Sequence, residues 1–224
     1  MYAPAPDRPP GTAMPPPRLR GWLHAGALPA TLLAGFALVA LGPTQQARLA
    51  AAVYAVTSGL LFGVSATYHR GRPAPRLAEV LRRLDHANIY LIIAGTYTPF
   101  ALLALDGAAR VAVLAVVWTG AIAGVVFRAV WMGAPRWLYT ALYIALGWAA
   151  VFFLPQLLRG AGVAAVTLVI AGGLLYSAGG VVYGLRRPNP SPRWFGFHEV
   201  FHAFTLAAYV VQYIAVSLVV YAAT

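Results

Sequence analysis

Long apolar runs alternate with short arginine-bearing segments along almost the whole chain. Crossing about 30 Å of hydrocarbon takes about 20 helical residues. Seven runs reach or approach that length: residues 22–41, 47–68, 84–105, 111–130, 137–154, 163–185 and 197–221. The pattern predicts an all-α integral membrane protein, with a seven-transmembrane helix bundle over residues 21–224. Residues 1–20 are rich in proline and show no apolar period, which predicts a disordered tail. The first run is longer than the roughly 7–15 apolar residues of a secretory signal, so it reads as a retained helix.

Charge orients these spans. If they alternate in direction, one side carries Arg8, Arg18 and Arg20 before the first span and Arg70, Arg72, Arg76, Arg82 and Arg83 after the second. The same side takes Arg128 and Arg136 after the fourth span, and Arg186, Arg187 and Arg193 after the sixth. The opposite side holds Arg48, Arg110 and Arg159. Such a bias predicts a cytoplasmic N-terminus, so an odd number of crossings puts the C-terminus outside the cell's inner (plasma) membrane. With 61% hydrophobic and 9% charged residues, the chain cannot cover a water-facing surface. The net charge of +11 therefore marks topology, not nucleic-acid binding, because the arginines line no amphipathic face. Absence of cysteine excludes disulfides and thiolate metal sites, and absence of lysine excludes a retinal Schiff base.

Ionisable residues inside a membrane are costly, so their positions carry information. His69 closes the second run, Asp85 and His86 open the third, and His198, Glu199 and His202 open the seventh. All fall at the cytoplasmic end of the expected bundle. Ser58, Ser65 and His69 share one helical face, as do His198, His202, Thr205, Tyr209 and Gln212. Asp85, Asn88 and Thr96 form a third stripe, followed by a kink expected at Pro99. His24 is expected at the membrane interface.

His198 and His202, four residues apart, sit about 6 Å apart along one helix face. With His69 at the same depth they predict a three-histidine site. Three neutral imidazoles and an open fourth position suit Zn²⁺, which lowers the pKa of water toward neutrality. Asp85 is the expected proton-handling group, and Ser65, one turn before His69, the expected partner of water or a carbonyl. His86 points about 100° away from Asp85 around its helix and stays outside this set. The segment HEVFH also matches the HExxH of zinc metalloproteases, in which Glu199 would be the base. No acid follows Glu199 to serve as a further ligand, and the base role falls to Asp85. Haem would want axial histidines facing each other across the bundle, for which His198 and His202 on one helical turn are poorly placed, though His69 could oppose either.

Three segments carry a family resemblance: SATYHR at 65–70, RRLDHANIYLIIAGTYTPF at 82–100 and HEVFHAFTLAAYVVQY at 198–213. They resemble the haemolysin III family, the bacterial branch of the progestin and adipoQ receptor family, related more distantly to alkaline ceramidases. The resemblance implies seven spans with a cytoplasmic N-terminus and zinc ligands at His69, His198 and His202. It further implies Asp85 beside the zinc-activated water, Ser65 as its neighbour, and a lipid amidase or related hydrolase with a membrane lipid as substrate. The family name implies lysis, but a lytic protein needs a soluble state, which so apolar a chain lacks.

Two other classes of function compete with an enzyme. In a sensor or homeostasis protein, zinc would only staple three helices. Such a structural site closes with four protein ligands, whereas three histidines beside an unligated acid favour catalysis. A transporter or pore would spread its charges across the membrane, and here they gather at one end. Helix faces rich in glycine and alanine suit a dimer and the bundle's own packing equally.

Overall fold

The computed structural model describes residues 16–224 and is helical throughout, with no strand among them. Its helices are α1 (Trp22–Ala40), α2 (Gln45–Arg70), α3 (Pro75–Ala104), α4 (Gly107–Val130), α5 (Arg136–Gly147), α6 (Leu154–Leu185) and α7 (Phe197–Tyr221). A short 3-10 turn, Ala149–Phe153, joins α5 to α6. Six helical segments are long and apolar enough to cross a membrane, one of them the continuous stretch Arg136–Leu185. Large apolar side chains such as Leu33, Phe36, Val130 and Phe152 face outward, as they do when lipid is the solvent.

The stretch Arg136–Leu185 departs from the two plain helices that the apolar pattern predicts. The helix stops at Gly147, continues as the 3-10 turn, and breaks again at Gly162, whose φ of 80° and ψ of 166° are non-helical. A positive φ of this kind is open to glycine and strained for other residues. The chain doubles back there. Trp148 Nε1 donates to Ser177 Oγ at 2.9 Å, and Gly180 lies against Thr140, so α5 runs antiparallel to the second part of α6. Tyr97 of α3 satisfies the first break: its hydroxyl donates to Gly147 O and accepts from Ala150 N, both at 2.7 Å.

Neighbouring helices pack in sequence, α1 on α2, α2 on α3, α3 on α4 and α6 on α7, and α7 also meets α1, α2 and α3. Polar side chains pin these contacts where hydrocarbon offers no partner. Asn88 Nδ2 donates to Leu60 O, Gln212 Nε2 to Val169 O, and Tyr213 OH to Ala34 O. Asn88 and Gln212, both on predicted polar stripes, thus serve packing.

Of the expected disordered tail, residues 1–15 lie outside the described residues. Residues 18–20 are instead held in place. Arg18 N and Leu19 N donate to Arg193 O and Trp194 O, the Arg18 guanidinium lies over the Trp194 ring, and Arg20 pairs with Glu199. The difference arises because these arginines find partners in the loop before α7 and at its first turn. This strap brings the start of α1 against α7.

Candidate metal centre

The end of α2, the starts of α1 and α7, and α3 at Asp85, ten residues past its own start, meet at one end of the bundle. His69, in the last turn of α2, faces His198 and His202, in the first two turns of α7. One nitrogen from each of the three rings lies within 4.8 Å of the others, and the Nε2 atoms of His69 and His198 are 3.2 Å apart. His198 and His202 are buried, and Nδ1 of His198 has no hydrogen-bond partner among the described residues. Gly21 makes room for this arrangement. It adopts a φ of 77°, and a Cβ there would stand 2.5 Å from His69 Cβ.

Asp85 reaches the cluster from α3, with Oδ2 3.7 Å from His69 Nε2. Ser65 is buried one turn before His69, and it lines the same cavity as Asp85, His198 and His202. All five residues singled out in the sequence therefore converge.

The residues fit a zinc ion. Nitrogens bound to a tetrahedral zinc at about 2.05 Å stand about 3.3 Å apart, close to the His69–His198 spacing of 3.2 Å. The donors are three imidazoles from two helices, with a carboxylate beside them that is not itself one of the converging ligands.

Two neighbouring residues are occupied elsewhere. Glu199 sits in the first turn of α7, where Oε2 accepts from Gly196 N at 2.8 Å and Oε1 pairs with Arg20. It caps the helix and anchors the strap, so it does not face the site as a metalloprotease base would. His86 Nδ1 is 2.8 Å from Arg82 O, its Nε2 is 3.4 Å from Tyr183 OH, and it stands outside the three-histidine group.

One cavity of about 210 Å³ extends from this centre into the bundle. His24, Ser65, Asp85, His198 and His202 line its polar end, and Ile89, Ile93, Phe100, Leu157 and Val169 line its apolar body. From Asp85 to Phe100 the lining spans fifteen residue steps of α3, about 22 Å of helix.

The family model described as Haemolysin-III related matches residues 12–213. This chain belongs to the haemolysin III family. Hemolysin-3 of Bacillus cereus is 33% identical over 173 residues, 77% of this chain and 76% of that protein. A Hemolysin-3 homolog of Bacillus subtilis (strain 168) is 31% identical over 159 residues, 71% of this chain and 72% of that one.

In this haemolysin III family member a further histidine, which the sequence pattern did not place beside the site, packs against it. His24 is buried, its ring stacked on His202 with centroids 3.7 Å apart and planes 7° from parallel. The strap causes this by drawing the first turn of α1 onto α7. A signal existed in the spacing. His24, Thr31, Gly35 and Leu38 are the buried residues of α1 and step along one face by seven, four and three.

Proposed function

We propose that this protein is a zinc-dependent hydrolase of a lipid amide or ester, acting inside the membrane near its cytoplasmic face. The observation that carries this reading is the meeting of His69, His198 and His202 beside Asp85 at the polar end of an apolar cavity. The three histidines would hold the ion, which supplies Lewis acidity when bound. The acyl chain would lie along Ile89, Ile93, Phe100 and Leu157, with the scissile carbonyl at the polar end. Asp85 Oδ2 takes a proton from the attacking water and returns it to the leaving amine or alcohol as the C–N or C–O bond breaks. Ser65 Oγ donates to the carbonyl oxygen as negative charge builds there. The carboxylate beside the cluster favours this over a purely structural zinc.

The same reading takes the bundle as seven spans in the inner (plasma) membrane with a cytoplasmic N-terminus. The arginine distribution supports it, and so does the doubling back at Gly162. The relatives' name suggests lysis, but a chain 61% hydrophobic favours a resident membrane enzyme over a lytic agent.

The test is an assay of purified, zinc-loaded protein with a long-chain N-acyl amide and the matching ester. Wild type is expected to release free fatty acid from at least one of them. Asp85→Asn is expected to keep its zinc while turnover falls about 10²- to 10⁴-fold, the usual worth of a positioned acid–base group. No release by wild type from either lipid sinks the hydrolase reading.

A further inference from the structure

His24 is a buried ionisable side chain for which the chemistry above has no use. It is 2% exposed, and neither of its ring nitrogens has a hydrogen-bond partner among the described residues. Two unsatisfied buried nitrogens carry a real desolvation cost, and buried polar groups in folded proteins are normally satisfied. Something outside the described chain is therefore their natural partner.

That partner is not the ion held by the other three histidines. An ion bound by His202 lies near the plane of the His202 ring, along the lone pair of its nitrogen. The His24 ring is stacked face to face on that ring at 3.7 Å, so its own lone pair runs in a parallel plane and does not converge on the same point. The ligand-forming group accordingly contains His69, His198 and His202 without His24. Phe62 packs edge-on against the His24 ring, with centroids 5.0 Å apart, and offers no hydrogen bond. The ring also lines the cavity, at the end it shares with Ser65 and Asp85. Stacking and edge contact hold the imidazole in place, and both its nitrogens are left without a partner among the described residues.

We propose that His24 is a substrate-contacting residue that hydrogen-bonds the polar group flanking the scissile carbonyl of a lipid amide or ester. It thereby selects ligands that carry a polar head at that depth over purely apolar chains. The class of ligand rests on the hydrolase reading; the contact itself rests on the orphaned nitrogens and the stack.

The experiment compares wild type, His24→Phe and His24→Asn, each purified as the full chain. His24→Phe keeps a flat ring against His202 and removes both nitrogens, while His24→Asn restores a donor and an acceptor. Zinc per chain is measured by mass spectrometry. Binding of radiolabelled N-oleoylethanolamine and of octadecane is measured by equilibrium dialysis in detergent. His24→Phe is expected to keep its zinc, bind the amide about tenfold more weakly and bind octadecane unchanged, as for one lost buried hydrogen bond. His24→Asn is expected to recover most of the amide binding. If His24→Phe does not purify as a single species, the smaller His24→Leu makes the same comparison.

Amide binding by His24→Phe equal to wild type, or an equal loss for octadecane, overturns the proposal. So does loss of zinc in His24→Phe, which would make His24 a support for the metal ligand alone, and so does a wild type that does not bind the amide. If wild type carries no zinc yet His24→Phe still loses amide binding selectively, the metal reading fails and the contact stands. If the amide binds but is never cleaved, the hydrolase reading fails and the contact again stands.

Discussion

The five histidines of this chain are chemically identical and are put to different uses by their surroundings. Those at 69, 198 and 202 turn nitrogens toward a common point, His86 is bonded to a carbonyl and a tyrosine, and His24 lies flat on His202. Glu199 makes the same point for the acids. Its place in HEVFH suggests a catalytic base, yet both its oxygens are engaged, one with Gly196 N and one with Arg20. Glu199→Gln should therefore leave zinc content near wild type and, at saturating lipid, any hydrolysis rate as well. Loss of the buried ion pair should still lower the thermal midpoint, by a few degrees for about 1–3 kcal/mol. Hydrolysis abolished in Glu199→Gln with zinc retained would restore the metalloprotease role. The meeting of His69, His198 and His202 was legible in the sequence because a four-residue spacing within one helix fixes the His198–His202 geometry, and His69 needed only a matching depth. The role of His24 was not, because it depends on Arg20 meeting Glu199 across 179 residues of sequence.

Helices read more easily than their interruptions. Every apolar run became helix, since runs of Leu, Val and Ala in lipid have no other way to satisfy their backbone. The breaks within Arg136–Leu185 are different, because the Tyr97 hydroxyl that satisfies the first of them comes from another helix. A 50-residue apolar stretch would be about 75 Å long as a straight helix, far more than one crossing. If the doubling back at Gly162 makes it two, as we propose, the whole chain crosses seven times. Alkaline phosphatase fused to the C-terminus should then be active outside the membrane, and the same reporter at the N-terminus inactive. Inactivity at both ends would mean an even number of crossings.

At the scale of the whole molecule, the polar chemistry is gathered at one end of a bundle whose outer face is apolar. The strap before α1, the end of α2, Asp85 of α3 and the start of α7 lie far apart in the sequence, and each contributes to that end. The cavity leads from it into the apolar interior, so under the proposed hydrolysis a long-chain lipid would have its tail there and its carbonyl at the polar end. The proposed hydrolysis depends on an ion at the three histidines. The most direct test is metal content by mass spectrometry of purified wild type, His202→Ala and Asp85→Ala. About one zinc per chain is expected in wild type, with a large loss in His202→Ala and little change in Asp85→Ala. No zinc in wild type, or the same content in all three proteins, would contradict the hydrolase reading and leave the histidines as packing groups.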